Sequence, residues 1–459
     1  MKNIVILLLS TLILASCQLS TKKDYILLTG SIEDAPEKEF RLVKRSSPGR
    51  ISVSLQEDGS FFCDTITFGT GRYVFTDGRN SAELYLIAGE EYNLTAVAKD
   101  FRNTAKLTGT NPDASNYLLT KIARIIRMRG DYAEFMSLKE SEFIAKQSML
   151  NESYQSYLDS FPNIPKEFSE MERKELYYYN LLTLIQYESR HRLYTKDASF
   201  KVSNDFDKLF EGVDYSNEKD YKQRGSYGKL ISEHFGKKAD ELAEKEGLDI
   251  HFAKLKIFGN IASDYIKNDL LMAAAKYDIG RVDSLDQYYK AFVSVSTSTR
   301  NNESITEKYK ALKKLAKGQP SPVFTGYINH AGGTTSLGDL KGKYVYIDVW
   351  ATWCGPCLAE VPFLKKVEKQ YHGRNIEFVS ISIDVEKKNE AWRKLVINKE
   401  LAGIQLRADK DWGSEFIASY EINSIPRFIL IDPNGNIVAS NAPRPSNPKL
   451  MELFSELNL

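Results

Sequence analysis

Three shortages in the sequence exclude broad classes of protein. The 459 residues include four cysteines, which is too few for a scaffold held together by disulfides. The 62 lysines and arginines nearly balance the 61 aspartates and glutamates, so a net charge of +1 provides no strong field to attract nucleic acid or an anionic membrane. The mean hydropathy of −0.37 argues against an integral membrane protein. The length instead predicts a globular protein of two or three domains.

The N-terminus has the pattern of an export signal. Lys2 precedes an apolar run, Ile4 to Leu14, that is too short to span a bilayer. The small residues Ala15 and Ser16 then precede Cys17. This arrangement resembles a bacterial lipoprotein signal, which implies cleavage before Cys17 and lipidation of its thiol. An ordinary signal peptide followed by a chance cysteine is the alternative. We expect residues 1–16 to be a lipoprotein signal peptide and residues 17–24 a lipidated tether that anchors an exported protein to a membrane.

The rest of the chain divides into three parts by residue pattern. Residues 25–110 contain short apolar runs separated by turn residues, which predicts a small antiparallel β-sandwich of unknown role. Residues 111–317 are more charged and compatible with long helices, so we expect an α-helical domain or connector. Residues 318–459 alternate strand and helix patterns around what we predict to be a central sheet, as in an α/β domain.

Several local features refine this division. Asp58-Gly59 lies between two apolar runs and predicts a hairpin turn. Cys63 shares a strand face with Phe61, which predicts a buried and unreactive thiol. The predicted helical stretches are Asn116 to Leu158, Lys166 to Arg190, Ala253 to Tyr277 and Ser284 to Ala316. In the C-terminal part the predicted strands and helices are Tyr344 to Val349, Cys354 to Tyr371, Ile376 to Ile383, Lys388 to Lys399, Phe416 to Tyr420, Phe428 to Ile431, Ile437 to Ala439 and Asn447 to Leu457.

Two cysteines separated by two residues provide the clearest chemistry. Cys354 and Cys357 follow an apolar strand at the start of a predicted helix, and such a pair can cycle between dithiol and disulfide. Unpaired N–H groups at the helix start favour a thiolate at Cys354. A thiol pKa lowered from about 8.5 to about 7 would raise the thiolate fraction at neutral pH from a few per cent to about half. Cys354 is therefore predicted to attack a substrate disulfide, and Cys357 to resolve the mixed disulfide.

Resolution needs a base, because a buried thiol resists ionisation. Asp348 lies on the strand that precedes the cysteines, at a position where the core is normally apolar. Glu360 is three residues after Cys357 and so lies on the same face of the helix. Both are candidate catalytic acids, and the sequence does not choose between them.

Two other uses of the cysteine pair find little support. A structural zinc site needs a second pair of ligands at similar spacing, and the sequence around Cys354 offers none. The proline, threonine and cysteine pattern of a peroxiredoxin is also missing there. We therefore predict no metal.

The segment Trp350-Ala351-Thr352-Trp353-Cys354-Gly355-Pro356-Cys357 closely resembles the active site of the thioredoxin superfamily. Ser424-Ile425-Pro426 matches the family's cis-proline loop. The resemblance implies a thioredoxin fold for residues 318–459, a redox disulfide between the two cysteines, and a cis bond before Pro426. It also implies substrate contacts by Trp353, Pro426 and the backbone of Ile425. Glu360, Val361-Pro362 and an insertion over residues 385–409 look more like the TlpA/ResA group. Arg427 departs from the family, which often has threonine there.

These features together predict an enzyme. The leading hypothesis is a membrane-anchored, extracytoplasmic lipoprotein on the periplasmic face that reduces protein disulfides, without a cofactor, in cell redox homeostasis. The resemblance implies exported disulfide-containing proteins as substrates, with apocytochrome c and hence cytochrome c maturation as one candidate, and a membrane thiol relay as electron donor. No nucleic-acid partner is expected. The alternatives are a disulfide oxidase or isomerase, and a ligand- or protein-binding lipoprotein with a non-catalytic thioredoxin domain. The β-domain is similar to the N-terminal domain of some bacterial thioredoxin-like lipoproteins.

Overall fold

The computed structural model describes residues 24–45, 49–282 and 284–459, which form two compact units. The first unit contains the described residues up to 215 together with 219–233, and the second contains 216–218 and 234–459. The division therefore falls inside the helical region rather than at either of its ends. The predicted signal peptide and Cys17 lie outside the described residues. Within the described residues, no helix has the length and apolar character needed to cross a membrane.

The first unit begins with strands and continues with helices. Its strands are β1 (Ile26–Glu33), β2 (Glu39–Lys44), β3 (Arg50–Ser54), β4 (Ser60–Ile66), β5 (Gly71–Thr76), β6 (Ser81–Leu86), β7 (Glu91–Val97) and β8 (Lys106–Gly109). Its helices are α1 (Phe101–Thr104), α2 (Asp113–Arg129), α3 (Tyr132–Met136), α4 (Glu140–Asp159) and α5 (Lys166–Thr195). Two further helices cross the division: α6 (Glu218–Lys222) has all but its first residue in this unit, and α7 (Ser226–Glu246) begins here and ends in the second unit.

The strands form two four-stranded sheets, in the orders β4-β1-β7-β8 and β3-β2-β5-β6. Apolar side chains of both sheets share one core, which confirms the predicted sandwich. The sandwich is not entirely antiparallel, because β1 and β7 run parallel. The predicted hairpin at Asp58-Gly59 is wrong: β3 pairs with β2 and β4 pairs with β1, so this turn carries the chain between sheets. Turn residues specify a local reversal but not which strands pair across it.

The helical stretch predicted over Asn116 to Leu158 is divided into α2, α3 and α4. Gly130 ends α2 with a positive φ of 78°, and its N–H donates to the carbonyl of Ile126. Asp131 then caps α3 by accepting a hydrogen bond from the backbone of Glu134. Gly130 therefore ends one helix and Asp131 begins the next, although the apolar periodicity continues across both residues. Cys63 is buried in the sandwich core, as predicted, and burial raises the pKa of its thiol to about 11.

In the second unit the end of α7 is followed by a set of further helices and then by an α/β domain. The helices are α8 (Ile250–Gly259), α9 (Asp264–Asp278), α10 (Leu285–Val295) and α11 (Thr299–Lys313). The α/β domain contains β9 (Tyr327–Asn329), β10 (Thr334–Thr335), β11 (Tyr344–Trp350), α12 (Gly355–Gln370), β12 (Ile376–Ser382), α13 (Asn389–Asn398), β13 (Ile404–Arg407), α14 (Glu415–Ser419), β14 (Arg427–Ile431), β15 (Ile437–Ala439) and α15 (Lys449–Glu456).

A seven-stranded sheet with the order β10-β9-β13-β12-β11-β14-β15 forms the centre of this domain. Strands β11, β12 and β13 are parallel, and β14 is antiparallel to β11. Because β11 is buried along most of its length, its sequence is an almost continuous run of apolar residues. Tyr346 on this strand stacks on Phe428 of β14. The predicted β-α-β and β-β-α elements are confirmed. The short strand β13 was missed, since Gln405 and Arg407 break its apolar pattern.

Candidate active site

The two cysteines follow the end of β11, with Cys354 just before α12 and Cys357 in its first turn. Cys354 caps the helix, and the backbone N–H of Cys357 donates to the Cys354 sulfur at 3.2 Å. The two residues are joined by a disulfide and both are buried. A sulfur that accepts a hydrogen bond from the first helical turn, near the positive end of the helix, is stabilised as a thiolate. The position therefore suits a nucleophilic cysteine at residue 354.

A buried aspartate fixes the loop between β11 and the cysteines. Asp384 follows β12, the neighbouring strand, and has no exposed surface. Its carboxylate accepts hydrogen bonds from the backbone N–H of Thr352 at 2.8 Å, from the Thr352 hydroxyl at 2.7 Å and from the Ser382 hydroxyl at 2.8 Å. Sequence reasoning missed Asp384, although an acid directly after a buried apolar strand was the visible indication.

The cis-proline loop lies beside the same edge of the sheet. The bond between Ile425 and Pro426 is cis, as predicted. Arg427, the first residue of β14, pairs with Val349 of β11. Because the two strands are antiparallel, residues 424–426 continue alongside the end of β11, next to the loop that carries the cysteines. This places Ile425 and Pro426 where a bound peptide could reach both the loop backbone and Cys354.

Asp348 is buried in the sheet beneath the cysteines. Burial is the main cause that raises its pKa to about 8, and the carboxylates of Glu368 and Glu360 add to the effect. Its Oδ1 atom has no hydrogen-bond partner among the described residues. Asp348 and Cys357 line the same narrow cavity, which has room for about one water molecule. A proton acceptor with a pKa close to that of a thiol therefore shares a space with the second cysteine.

Glu360 occupies a different environment. Its carboxylate accepts hydrogen bonds from the backbone N–H of Ser446 at 3.0 Å and from the Ser446 hydroxyl at 2.8 Å. The guanidinium of Arg444 lies 4.0 Å away. Glu360 is not among the residues that line the cavity with Cys357. The structure thus places the two candidate acids apart: Oδ1 of Asp348 has no partner among the described residues, whereas Glu360 is hydrogen-bonded to the loop before α15.

A third acid, Glu368, was not predicted. It lies three turns after Cys357 on α12, is partly buried, and lines the cavity together with Asp348. Burial raises its pKa to about 7, against the opposing effect of Lys365. In the sequence Glu368 belongs to a charged stretch that is typical of a solvated helix face, so only the packing of α12 on the sheet distinguishes it.

Two tryptophans form an exposed aromatic pair near the cysteines. The side chain of Trp353 is 59% exposed and that of Trp412 is 38% exposed, and their ring centroids are 6.5 Å apart. Large exposed aromatics next to a reactive group are suited to binding apolar side chains. Trp353 was predicted as a substrate contact, whereas nothing in the sequence connected Trp412 with it. In the described part of the chain, no group of three or more His, Cys, Asp and Glu residues could hold a metal ion.

Comparisons with known proteins match the C-terminal domain. The family model described as Redoxin matches residues 316–453. The thiol-disulfide oxidoreductase ResA of Bacillus cereus (strain ZK / E33L) is 30% identical over 126 residues, which are 28% of this chain and 69% of that protein. ResA of Bacillus anthracis is 29% identical over 126 residues, with the same two shares. Among solved structures, the thioredoxin domain of a thiol-disulfide oxidoreductase from Bacteroides vulgatus shares 32% identity, covers 31% of this chain and 98% of its own, and gives a TM-score of 0.28.

Proposed function

Because the chain belongs to the ResA-like thiol–disulfide oxidoreductases of the thioredoxin superfamily, through its C-terminal domain, we propose that it reduces disulfide bonds of exported proteins with Cys354 and Cys357. The observation that carries this proposal is the position of the cysteine pair: at a helix start, beside a cis-proline loop and next to the cavity that Cys357 shares with the buried acid Asp348. The Gly-Pro dipeptide between the cysteines resembles the reducing members of the superfamily, among which thioredoxin has a potential near about −270 mV.

The reaction proceeds by two exchanges at sulfur. The Cys354 thiolate attacks one sulfur of the substrate disulfide, and the other substrate sulfur leaves as a thiolate. Cys357 then attacks the Cys354 sulfur of the mixed disulfide, which releases the second substrate thiolate and forms the Cys354–Cys357 disulfide. Two electrons pass from the enzyme dithiol to the substrate, which takes up two protons. A membrane dithiol donor returns the enzyme to its reduced form.

Asp348 is the base in this proposal. Its pKa of about 8 lies near the ordinary value of about 8.5 for a thiol, so a proton can pass from Cys357 to Asp348 at little cost. The shared cavity brings the two groups within reach, directly or through one water. Glu368 lines the same cavity, and with a pKa of about 7 about half of it is ionised at neutral pH, so it can accept the proton from Asp348 and pass it to solvent.

Glu360 remains a predicted catalytic acid, but we propose that it acts on proton transfer through Asp348. Its hydrogen bonds to Ser446 attach α12 to the loop before α15. Its carboxylate also contributes to the raised pKa of Asp348. We propose that Glu360 adjusts the basicity of Asp348 rather than removing the proton from Cys357 itself.

The cellular setting is proposed from the sequence. The lipoprotein-like signal supports export, cleavage before Cys17 and anchoring of the redox domain outside the cytoplasm by lipid. Such a location is oxidising, so continued reduction requires the membrane thiol relay. Exported proteins with disulfides are the proposed substrates, with apocytochrome c as one candidate. A midpoint potential well above about −200 mV would favour the oxidase or isomerase alternative instead.

A trapping variant tests the proposal. In Cys357→Ala the mixed disulfide cannot be resolved, so we expect substrates to remain joined to Cys354 in cells and to be released by dithiothreitol. The matched control is the double variant Cys354→Ser with Cys357→Ala, which should capture nothing. If the trap stays empty although Cys354 alkylates readily, and the purified reduced protein does not reduce a model disulfide, the proposed function is wrong.

A further inference from the structure

A helical segment of the second unit binds the loop that precedes the cis-proline. Arg281, just after α9, donates from its Nη2 atom to the Ser424 hydroxyl at 2.6 Å. The Asn423 side chain donates to the carbonyl of Lys276 at 3.3 Å. Arg427 Nη1 donates to the carbonyl of Gly280 at 3.2 Å. The end of α9 is thus joined to both sides of the cis-proline by side-chain hydrogen bonds.

Arg427 strengthens this contact. It stands where the superfamily often has threonine, and it is buried. Besides its bond to Gly280, its Nε atom donates to the carbonyl of Ser440 at 3.0 Å. The side chain therefore spans from β14 to the end of α9, which a threonine would be too short to do. Burial, together with the nearby charge of Arg281, lowers the pKa of the Arg427 guanidinium to about 10.

The same contact concentrates positive charge. Arg281 binds the loop directly, and the Lys308 ammonium donates at 2.5 Å to the carbonyl of Lys276, which also accepts from Asn423 of the loop. Three cations, Lys276, Arg281 and Lys308, are thus found beside the loop. We call these three residues the basic rim. Burial and the neighbouring cations lower the pKa of Lys308, although Glu421 opposes this effect. In the residues that the structure describes, no carboxylate forms an ion pair within 4.0 Å of any of the three. Lys276 and Arg281 are exposed to solvent.

The sheet order places the basic rim on one flank of the cysteines and the aromatic pair on the other. The ends of the parallel strands β11, β12 and β13 meet at one edge, and the start of the antiparallel β14 lies at that edge too. Trp412 follows β13, whereas Arg281 contacts the loop before β14. In the order β13-β12-β11-β14, these two features lie on opposite sides of β11, from which the chain continues to Cys354.

We propose that the basic rim selects substrate segments that carry aspartate or glutamate close to the disulfide, on the side opposite to the residue held by Trp353 and Trp412. This inference rests on the proposed function, in which the substrate backbone pairs with Ile425. A strand advances about 3.3 Å per residue, so a side chain two or three residues from the attacked cysteine reaches Ser424 and the Arg281 that binds it. An unpaired exposed cation at that point favours an acidic side chain and disfavours a basic one.

Two matched disulfide peptides test the proposal with the full-length reduced protein. The peptides are identical except for glutamate or lysine two residues from one cysteine, and kcat/KM is measured for each. We expect the acidic peptide to be reduced about tenfold faster, because an exposed ion pair and an exposed like-charge contact each change the rate by a few-fold. The ratio of kcat/KM for the acidic peptide to that for the basic peptide should fall toward one in about 0.5 M salt, because charges are then screened within a few ångströms.

The double variant Lys276→Gln with Arg281→Gln should abolish the preference, so that the glutamate, glutamine and lysine peptides are reduced at similar rates. A cooperative urea-unfolding transition shows that the variant is folded. Lys369→Gln with Arg374→Gln is the matched control. Lys369 lies in the last turn of α12 and Arg374 follows that helix, so both exposed residues are at the end of the sheet opposite to the cysteines. This control variant should keep the preference.

The outcomes separate the inference from the function on which it rests. Equal rates for both peptides with the unaltered protein would overturn the proposed role of the basic rim in substrate selection and leave the reductase function intact. No reduction of either peptide, with Cys354 demonstrably reduced, would overturn both. If the double variant kept the peptide preference but lost binding to vesicles of anionic phospholipid, the rim would be a membrane contact and the substrate inference would be wrong.

Discussion

Asp348 is a carboxyl group kept in an apolar sheet without a hydrogen-bond partner for Oδ1 in the described part of the structure. Such a group costs folding free energy when it is charged, and groups of this kind cluster at functional sites. Its raised pKa means that the folded protein holds a proton which the unfolded chain releases from about pH 4 upward. Stability is therefore greatest below the unfolded pKa and declines as the pH rises toward about 8.

The first prediction concerns this decline. Relative to the Asp348→Asn variant, the unaltered oxidised protein should lose stability by on the order of 3 kcal/mol between pH 5 and pH 8. Urea unfolding followed by tryptophan fluorescence measures it cleanly, since all four tryptophans belong to the second unit. A constant difference between the two proteins across this pH range would show that Asp348 is not a raised-pKa group.

Glu368 provides the second prediction at this scale. Glu368→Gln should slow resolution of the mixed disulfide by about tenfold at pH 7 while leaving formation of the mixed disulfide unchanged, because only the second step releases the Cys357 proton. Stopped-flow single turnovers distinguish the two steps. Glu390→Gln, at an exposed glutamate of α13, is the control. An equal loss in both steps would assign Glu368 a structural role instead.

At the scale of elements, the loop that carries the cysteines depends on two neighbouring strands. β11 delivers the chain to Trp350, and Asp384 at the end of β12 fixes Thr352. Predictions from sequence located β11, α12 and β12 well, because apolar runs and the helix period are local properties. The bond from Asp384 to Thr352 joins residues 32 positions apart, so no local pattern revealed it.

Removing that bond should affect activity as well as stability. Asp384→Ala leaves the backbone N–H and the hydroxyl of the half-buried Thr352 without their acceptor, so we expect a loss of about 3 kcal/mol in unfolding free energy and a clear fall in kcat/KM. Ser382→Ala, which removes one donor to the same carboxylate, should cost about 1 kcal/mol and retain most activity. Indistinguishable kinetics for Asp384→Ala and the unaltered protein would mean that the loop is held by its own packing.

At the scale of the whole molecule, the chain consists of two units, and the sequence pattern did not place their boundary. Residues 111–317 read as one helical region, yet α8 to α11 belong to the unit that contains the redox domain. Consecutive helices have similar composition whichever partner they pack against. The association of α9 with the cis-proline loop therefore emerged only from the fold.

The predicted lipid anchor at Cys17 determines where the whole molecule resides. If Cys17 is lipidated, cells fed radiolabelled palmitate should incorporate label into the protein, and the protein should sediment with membranes. Cys17→Ser should abolish both, whereas Cys63→Ser, at the buried thiol of the sandwich, should abolish neither. Label retained in Cys17→Ser would contradict the anchor without bearing on the chemistry at Cys354.

The sequence by itself determined the redox pair, the strand and helix that hold it, the cis-proline and the family, because these depend on spacing along one segment or on short motifs. The tertiary structure decided which acid meets Cys357, since Asp348 and Glu360 have equally suitable spacings but only Asp348 lines the cavity. It also brought Glu368, Asp384, Trp412 and Arg281 to the site. Each of these reaches the surroundings of the cysteines through packing between distant segments, and the free energy of such packing is not encoded in any local pattern.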